Sequence, residues 1–171
     1  EINFTGFPCI APSGLNICLL EPGDILLSRS PTYADTFSIG GTYFTHSAMY
    51  IGEVSAPGEG DNTTMPRLAE AQGYSDNHSI EVWETDLFNH SFWSGSHLID
   101  WAVVRPSVSN SVKANAITYI RNKAAEEGVV FNIAATRTNT KEFYCSKLVW
   151  RSYLDVPEGK DLEKNVGFGS I

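Results

Sequence analysis

The sequence contains three cysteines and four histidines, side chains that can act as nucleophile and base near neutral pH. Cys145 lies near the start of a segment with helical apolar spacing. A helix N-terminus stabilises a thiolate through its dipole and its free N–H groups. A single cysteine in such a place is more often a buried, inert side chain. Cys145 is therefore a candidate nucleophile whose assignment depends on a partner.

His46 is the histidine best placed to be that partner. It opens a predicted strand after a loop rich in glycine and aromatic residues, and a strand end holds a general base in a fixed position. The same place also suits a structural histidine. The remaining histidines lie in polar or turn-like segments and are predicted to be surface residues: His78, His90 and His97.

A third side chain should orient the base, by the logic of nucleophile–base pairs. The candidates are acidic or amide residues of the following strands: Glu70, Gln72, Glu81 and Glu84. Neighbouring strands bring side chains within reach of one another, which favours Glu70 on the strand after His46. Gln72 stays open as the alternative, since alternation along the strand is expected to let only one of the two face His46.

Short strands and two helices are predicted to position these residues. The strands are expected at 25–27, 46–54, 67–72, 79–84 and 99–105. The first helix is capped by Ser109 or Asn110, and the second spans 142–154. The chain, 1–171, is predicted to form one α+β domain with an irregular N-terminal segment, 1–21.

The other two cysteines, Cys9 and Cys18, flank a loop with turn residues at 12–14. This spacing predicts a disulfide that staples the N-terminal segment and suits an oxidising compartment. The alternative is a pair of reduced cysteines in a cytosolic protein. Because the chain begins at Glu1 without an initiator Met, we expect either a removed leader, in agreement with a secreted or periplasmic protein, or a trimmed chain.

Composition excludes several classes of function. A formal net charge of -8 argues against a nucleic-acid or anionic-membrane binder, because both need clustered Lys and Arg. No apolar run approaches the length of a membrane span. Zinc-binding spacings and glycine-rich phosphate loops are absent, so we expect no metal and no cofactor. The chain is expected to be a monomer.

Four segments, in their order and spacing, resemble one family. They are similar to the permuted branch of the NlpC-type papain-like superfamily, in particular the YiiX/YaeF-like proteins, and more distantly to lecithin–retinol acyltransferase. In this branch the histidine precedes the cysteine, the reverse of the papain order. The segments are PGDILLSRS at 22–30, THSAMYIG at 45–52, RLAEAQG at 67–73 and FYCSKLVW at 143–150.

The resemblance implies a permuted papain-like fold, with an antiparallel sheet or small barrel packed against helices. It implies Cys145 as nucleophile, His46 as base and Glu70 as the group that orients the base. Tyr144 and Asp24 match positions that support the site. Tyr144 would help to hold the oxyanion or serve packing, whereas Asp24 is more simply a turn-capping residue.

The function implied is hydrolysis of an amide bond, in a cell-wall peptide, through an acyl-enzyme. One alternative is a lipid-directed thioesterase, phospholipase or acyltransferase, for which Phe88, Phe92 and Trp93 would contact a lipid surface. Core packing is the preferred interpretation of these three aromatic residues. Another is a papain-like scaffold that binds a peptide or carbohydrate without turnover. Residues 1–21 and 85–98 lie outside the shared segments, so the substrate stays open.

Overall fold

A computed structural model describes residues 8–29, 43–55, 64–72, 81–87, 100–162 and 169–170 of the chain. Within these ranges lie a short 3-10 helix (Ile17–Leu19), two α-helices and eight β-strands. The α-helices are α1 (Asn110–Ala125) and α2 (Cys145–Leu154). The strands are β1 (Ile25–Arg29), β2 (His46–Ser55), β3 (Thr64–Gln72), β4 (Glu81–Asp86), β5 (Asp100–Arg105), β6 (Val130–Phe131), β7 (Glu142–Phe143) and β8 (Gly169–Ser170).

All eight strands form one sheet in the order β7-β6-β4-β3-β2-β1-β5-β8. Neighbouring strands pair antiparallel throughout, except for β6 and β7, which are parallel. Over the described residues the sheet stays open between β7 and β8. The α+β class is therefore confirmed, and of the two expected forms the chain has an open sheet rather than a closed small barrel.

The long strand β2 carries His46 at its first position and lies between β1 and β3. Its pairing with β3 runs through Met49↔Ala69 and then shifts register at Gly52. Gly52 has a φ of 92°, in the left-handed region that glycine enters without a steric penalty. The bulge leaves the His46 end of β2 in regular register beside the Gln72 end of β3.

Apolar residues cover both faces of this sheet. On one face, α1 and α2 pack over Met49, Ile51 and Ala69. The other face, including Ala48 and Leu68, is covered by the N-terminal segment through three buried residues: Ala11, Leu15 and Ile17. Residues 8–21, the described part of the N-terminal segment, are thus part of the core, although most of them lack regular secondary structure.

The predicted disulfide between Cys9 and Cys18 is confirmed, with an S–S distance of 2.03 Å. Cys9 is buried, so the bridge closes the loop that carries Leu15 and Ile17 onto the sheet. Among the described residues, Cys145 is the remaining, unpaired cysteine.

The second helix begins later than predicted. Residues 142 and 143 are the strand β7, which pairs with β6, so α2 starts at Cys145 rather than at residue 142. The first helix is capped as predicted, because Ser109 Oγ accepts a hydrogen bond from Val112 N. No described helix has the length and apolar content needed to cross a bilayer.

Candidate active site

The thiol of Cys145 lies at the N-terminus of α2. Tyr144 precedes it as the N-cap in an extended conformation, and its carbonyl accepts the hydrogen bond from Leu148 N at 3.0 Å. Cys145 is half-buried. Its sulfur accepts hydrogen bonds from the backbone N–H groups of Ser146 and Ser47. One donor, Ser146 N, comes from the start of α2, and the other, Ser47 N, comes from β2.

His46 and Glu70 form a short contact beside this thiol. His46 Nε2 lies 2.7 Å from Glu70 Oε2, and the two side chains are 9% and 0% exposed. The imidazole also makes a side-chain hydrogen bond with Cys145. The adjacent strands β2 and β3 supply the histidine and the glutamate, and α2 supplies the cysteine. The structure thus brings these three predicted site residues together.

The electrostatics of the group favour separated charges. Burial alone lowers the pKa of His46, but hydrogen bonds with Cys145 and Glu70 outweigh burial and raise this pKa to about 10. Burial raises the pKa of the Cys145 thiol, but the hydrogen bond and charge of His46 and two backbone donors bring it below its ordinary value. The arrangement therefore stabilises a thiolate next to an imidazolium.

Glu70, rather than Gln72, contacts the histidine. The two lie two positions apart on β3 and so point to the same side of the sheet. Alternation along the strand therefore does not distinguish them, contrary to our expectation; their positions along β3 do. Gln72 is 7% exposed, and its Oε1 has no hydrogen-bond partner in the part of the chain that the structure describes.

The other two acidic candidates lie on β4. Glu84 Oε1 accepts a hydrogen bond from Arg121 Nε on α1 at 2.7 Å. The side chain of Glu81 lies outside the described residues. The histidines His78, His90 and His97 also lie outside them, as do the aromatic residues Phe88, Phe92 and Trp93.

A cavity of about 320 Å³ opens beside Cys145, between α2 and the β1–β5 side of the sheet. At the cysteine end it is lined by Ser47, Tyr144 and Ser146. Ser47 is 4% exposed, and its Oγ has no partner among the described residues. Buried polar atoms without partners are rare and call for a functional explanation. Most of the remaining wall is apolar: Ile25, Leu27, Val104, Val149, Trp150 and Leu162.

Tyr144 and Asp24 occupy different places. Tyr144 borders both the thiol and the cavity. Asp24 is fully buried at the start of β1, where its carboxylate accepts two hydrogen bonds from Arg105, at 2.8 and 2.7 Å. Its backbone joins Tyr50, four residues or ~13 Å along β2 from His46. The structure therefore does not bring Asp24 to the cysteine–histidine group.

One feature near the site has no counterpart in the sequence analysis. Lys147 follows the cysteine by two positions and is only 1% exposed. Its Nζ donates to the carbonyl oxygens of Thr136, Asn139 and Glu142, each at 2.6 Å. An ammonium group has three donors, so all of them are used to fix the segment between β6 and β7 against α2.

Comparison with known proteins supports the fold. No family model matches the chain, and no curated protein matches it. The crystal structure of YiiX, a metalloprotein from Escherichia coli O157:H7, is similar with a TM-score of 0.57 and 18% identity, covering 81% of this chain and 67% of that one. The chain therefore has a YiiX-like fold.

Metal binding by YiiX does not carry over to the described part of this chain. Across 8–29, 43–55, 64–72, 81–87, 100–162 and 169–170, no group of three or more His, Cys, Asp and Glu side chains is placed to hold a metal ion. Structural zinc sites need four such ligands and catalytic sites three. The described residues thus do not fit a metal site, and we derive no chemistry through one.

Proposed function

We propose that this protein is a cysteine hydrolase or acyl-transfer enzyme in which Cys145 is the nucleophile, His46 the acid–base group and Glu70 the group that orients His46. The contact of His46 with Glu70 at 2.7 Å, beside a thiol at a helix start, carries this proposal. Nucleophile, base and orienting group in hydrogen-bond reach are what covalent catalysis requires. The similarity of four sequence segments to permuted NlpC-type enzymes supports it.

In the proposed mechanism, the Cys145 thiolate attacks the carbonyl carbon of an amide. Backbone N–H groups at the helix start, including that of Cys145, stabilise the oxyanion. His46 gives its proton to the leaving amine as the C–N bond breaks, which leaves a thioester on Cys145. Water then attacks the thioester while His46 accepts its proton, and the acid and the free enzyme are released. Another nucleophile in place of water would make the reaction a transfer.

The substrate we propose is an amide in a cell-wall peptide. The second candidate is a lipid-directed thioesterase or acyltransferase, favoured by the apolar wall of the cavity beside the nucleophile. A binding scaffold without turnover is the third, but the shifted pKa values of His46 and Cys145 favour reactive groups. The disulfide between Cys9 and Cys18 is compatible with a secreted or periplasmic protein.

Alkylation of Cys145 by iodoacetamide tests the proposal. We expect labelling of Cys145 alone, at a rate that stays high below pH 8. In His46→Ala the rate at pH 7 should fall about tenfold to thirtyfold, because an ordinary thiol is only a few per cent ionised there. Peptide mass mapping locates the label, and Cys145→Ala serves as the blank and should lack turnover of any amide or ester substrate.

Slow labelling that His46→Ala leaves unchanged would make Cys145 a structural thiol. In that case a scaffold that binds a ligand without turnover would be the better-supported function. Undiminished turnover in Cys145→Ala would exclude Cys145 as the nucleophile even if labelling were fast.

A further inference from the structure

The cavity has two ends of different chemistry. Ser146 lines it next to the nucleophile, and Trp150 lines it further along α2. Trp150 lies five positions after Cys145 on α2, a rise of ~7.5 Å along the helix axis. At the Trp150 end the wall includes the guanidinium side chain of Arg137. An apolar space thus separates Tyr144 and Ser146, the two neighbours of the nucleophile in the chain, from a cation; Cys145 itself does not line this space.

Arg137 is held against the aromatic ring of Trp150. Its guanidinium carbon lies 5.0 Å from the ring centroid, within the range of a cation–π contact. The indole is itself fixed, because Trp150 Nε1 donates to Asp161 Oδ1 at 2.9 Å. A guanidinium stacked by its face keeps its N–H groups at the edge, where they match a carboxylate in a bidentate pair.

The buried Lys147 fixes the backbone on both sides of Arg137. Two of its three acceptors are the carbonyl oxygens of Thr136 and Asn139, which bracket Arg137 in the chain. Burying an ammonium group costs free energy unless all its donors are satisfied. Here the ammonium group of Lys147 fixes the segment from Thr136 to Glu142, and all three of its donors are used. Lys147 therefore positions Arg137 and does not itself bind a ligand.

We propose that Arg137 binds a carboxylate at the far end of the acyl group, so that the site selects acyl substrates with an apolar stretch between the scissile carbonyl and an anionic end. This rests on the proposed function of Cys145. A guanidinium has five N–H donors, so it can bind a carboxylate in addition to its present contacts. The apolar wall suits the intervening methylenes, which would lose water on binding.

Matched chromogenic esters test this selectivity. The 4-nitrophenyl ester of hexanoate ends in a methyl group, and the 4-nitrophenyl monoester of adipate has the same chain length and ends in a carboxylate. We expect kcat/KM to be higher for the adipate ester. Arg137→Gln should lower kcat/KM for adipate about tenfold to a hundredfold more than kcat/KM for hexanoate, as expected for loss of a charge-assisted hydrogen bond. Glutarate and suberate esters measure the preferred length.

Arg151→Gln is the control. Arg151 also contacts Trp150, at 5.7 Å, but it pairs with Asp155 and does not line the cavity. Arg151→Gln should leave the ratio of kcat/KM for the adipate ester to kcat/KM for the hexanoate ester unchanged. Arg137→Lys should retain part of the preference for the adipate ester. Equal rates for both esters in the wild type, or an equal loss of both in Arg137→Gln, would overturn the proposal.

Calorimetry with the Cys145→Ala variant separates this inference from the proposed function. Adipic acid monoamide should bind more tightly than hexanamide, and Arg137→Gln in the same background should abolish the difference. If no ester is turned over but this difference in affinity is seen, the carboxylate-binding role of Arg137 is supported and the proposed enzymatic function is wrong. If both amides bind equally, the carboxylate site is wrong whatever the chemistry of Cys145.

Discussion

Among the side chains that the structure describes, two carboxylates are fully buried, those of Glu70 and Asp24, each 0% exposed. Glu70 meets the imidazole of His46, whose charge depends on a proton. Asp24 meets the guanidinium of Arg105, which is charged at every relevant pH. The difference teaches that burial alone does not mark a functional acid. The partner decides whether the carboxylate tunes a titratable group or fixes the fold.

The surroundings of Asp24 are those of a structural clamp. Its Oδ2 accepts from Glu21 N at 2.8 Å in addition to Arg105. Arg105 also donates to the carboxylate of Glu21 and to the carbonyl of Leu19. This network joins β1, β5 and the end of the N-terminal segment. None of these hydrogen bonds involves Cys145 or His46.

The largest expected effect is on stability, from Asp24→Ala. Loss of the carboxylate leaves Arg105 and Glu21 N without their acceptor, and we expect the free energy of unfolding to fall by about 3 kcal/mol. Urea unfolding followed by tryptophan fluorescence measures this. The Cys145 alkylation rate in the folded variant should match the wild type, because the clamp lies apart from the site.

Glu21→Gln is the matched control for Asp24→Ala. Glu21 pairs with the same Arg105 but is 55% exposed, and exposed ion pairs contribute about 1 kcal/mol or less. A loss of thiol reactivity in folded Asp24→Ala, without a loss of stability, would contradict the distinction and return Asp24 to the site.

The second effect is on activity, from Glu70→Gln. The amide keeps the size of the side chain but removes the negative charge that stabilises the imidazolium of His46. We expect turnover of a 4-nitrophenyl ester to fall about a hundredfold, with a smaller change in the urea midpoint than in Asp24→Ala. Steady-state kinetics measure the loss.

Gln72→Ala is the comparison for Glu70→Gln, because Gln72 is the other predicted candidate on β3. It should leave turnover within a fewfold of the wild type. A deeper loss in Gln72→Ala than in Glu70→Gln would make Gln72 the orienting group, although Gln72 Oε1 accepts no hydrogen bond from a described residue.

The sequence predicts the central strands well and the periphery poorly. β1, β2 and β5 are apolar runs bounded by turn residues, so the pattern of apolar residues and the flanking turn residues locate them. β6, β7 and β8 have two residues each, too few for any period. The predicted second helix included β7, because the apolar spacing over 142–154 is helical and a two-residue strand does not change it.

The site was predicted by resemblance rather than by local pattern. No spacing in the sequence requires Cys145 to meet His46, since sheet pairing and helix packing bring them together. The roles of Lys147 and Arg137 were not predicted at all. A lysine in a helix is ordinarily exposed, and its burial here depends on carbonyl oxygens of another segment. Such acceptors leave no mark on the sequence.

The smallest effect is a pH dependence of stability. The pKa of His46 rises from 6.5 to about 10 on folding, so its contribution is complete below pH 6.5 and is lost as pH rises through about 10. The pKa of Cys145 falls from 9.0, so its contribution is present above pH 9.0 and is lost as pH falls through the folded value. Between pH 6.5 and 9.0, and above the folded pKa of Cys145, the pair binds one proton in either state, on His46 when folded and on Cys145 when unfolded.

The difference in unfolding free energy between wild type and His46→Ala should therefore be flat up to pH 9.0, starting from pH 6.5 or from the folded pKa of Cys145, whichever is higher. It should decrease above pH 9.0 as His46 loses its proton, and at low pH as Cys145 becomes a thiol. Urea titrations at closely spaced pH values measure it. In a Glu70→Gln background the alkaline fall should begin at lower pH, because the carboxylate helps to raise the pKa of His46. In a Glu21→Gln background the curve should keep its shape, since the Arg105 clamp does not touch the imidazole. A curve that falls steadily across this range would mean that Cys145 stays a neutral thiol beside a protonated His46. The contrast between the two buried carboxylates would then be one of position only.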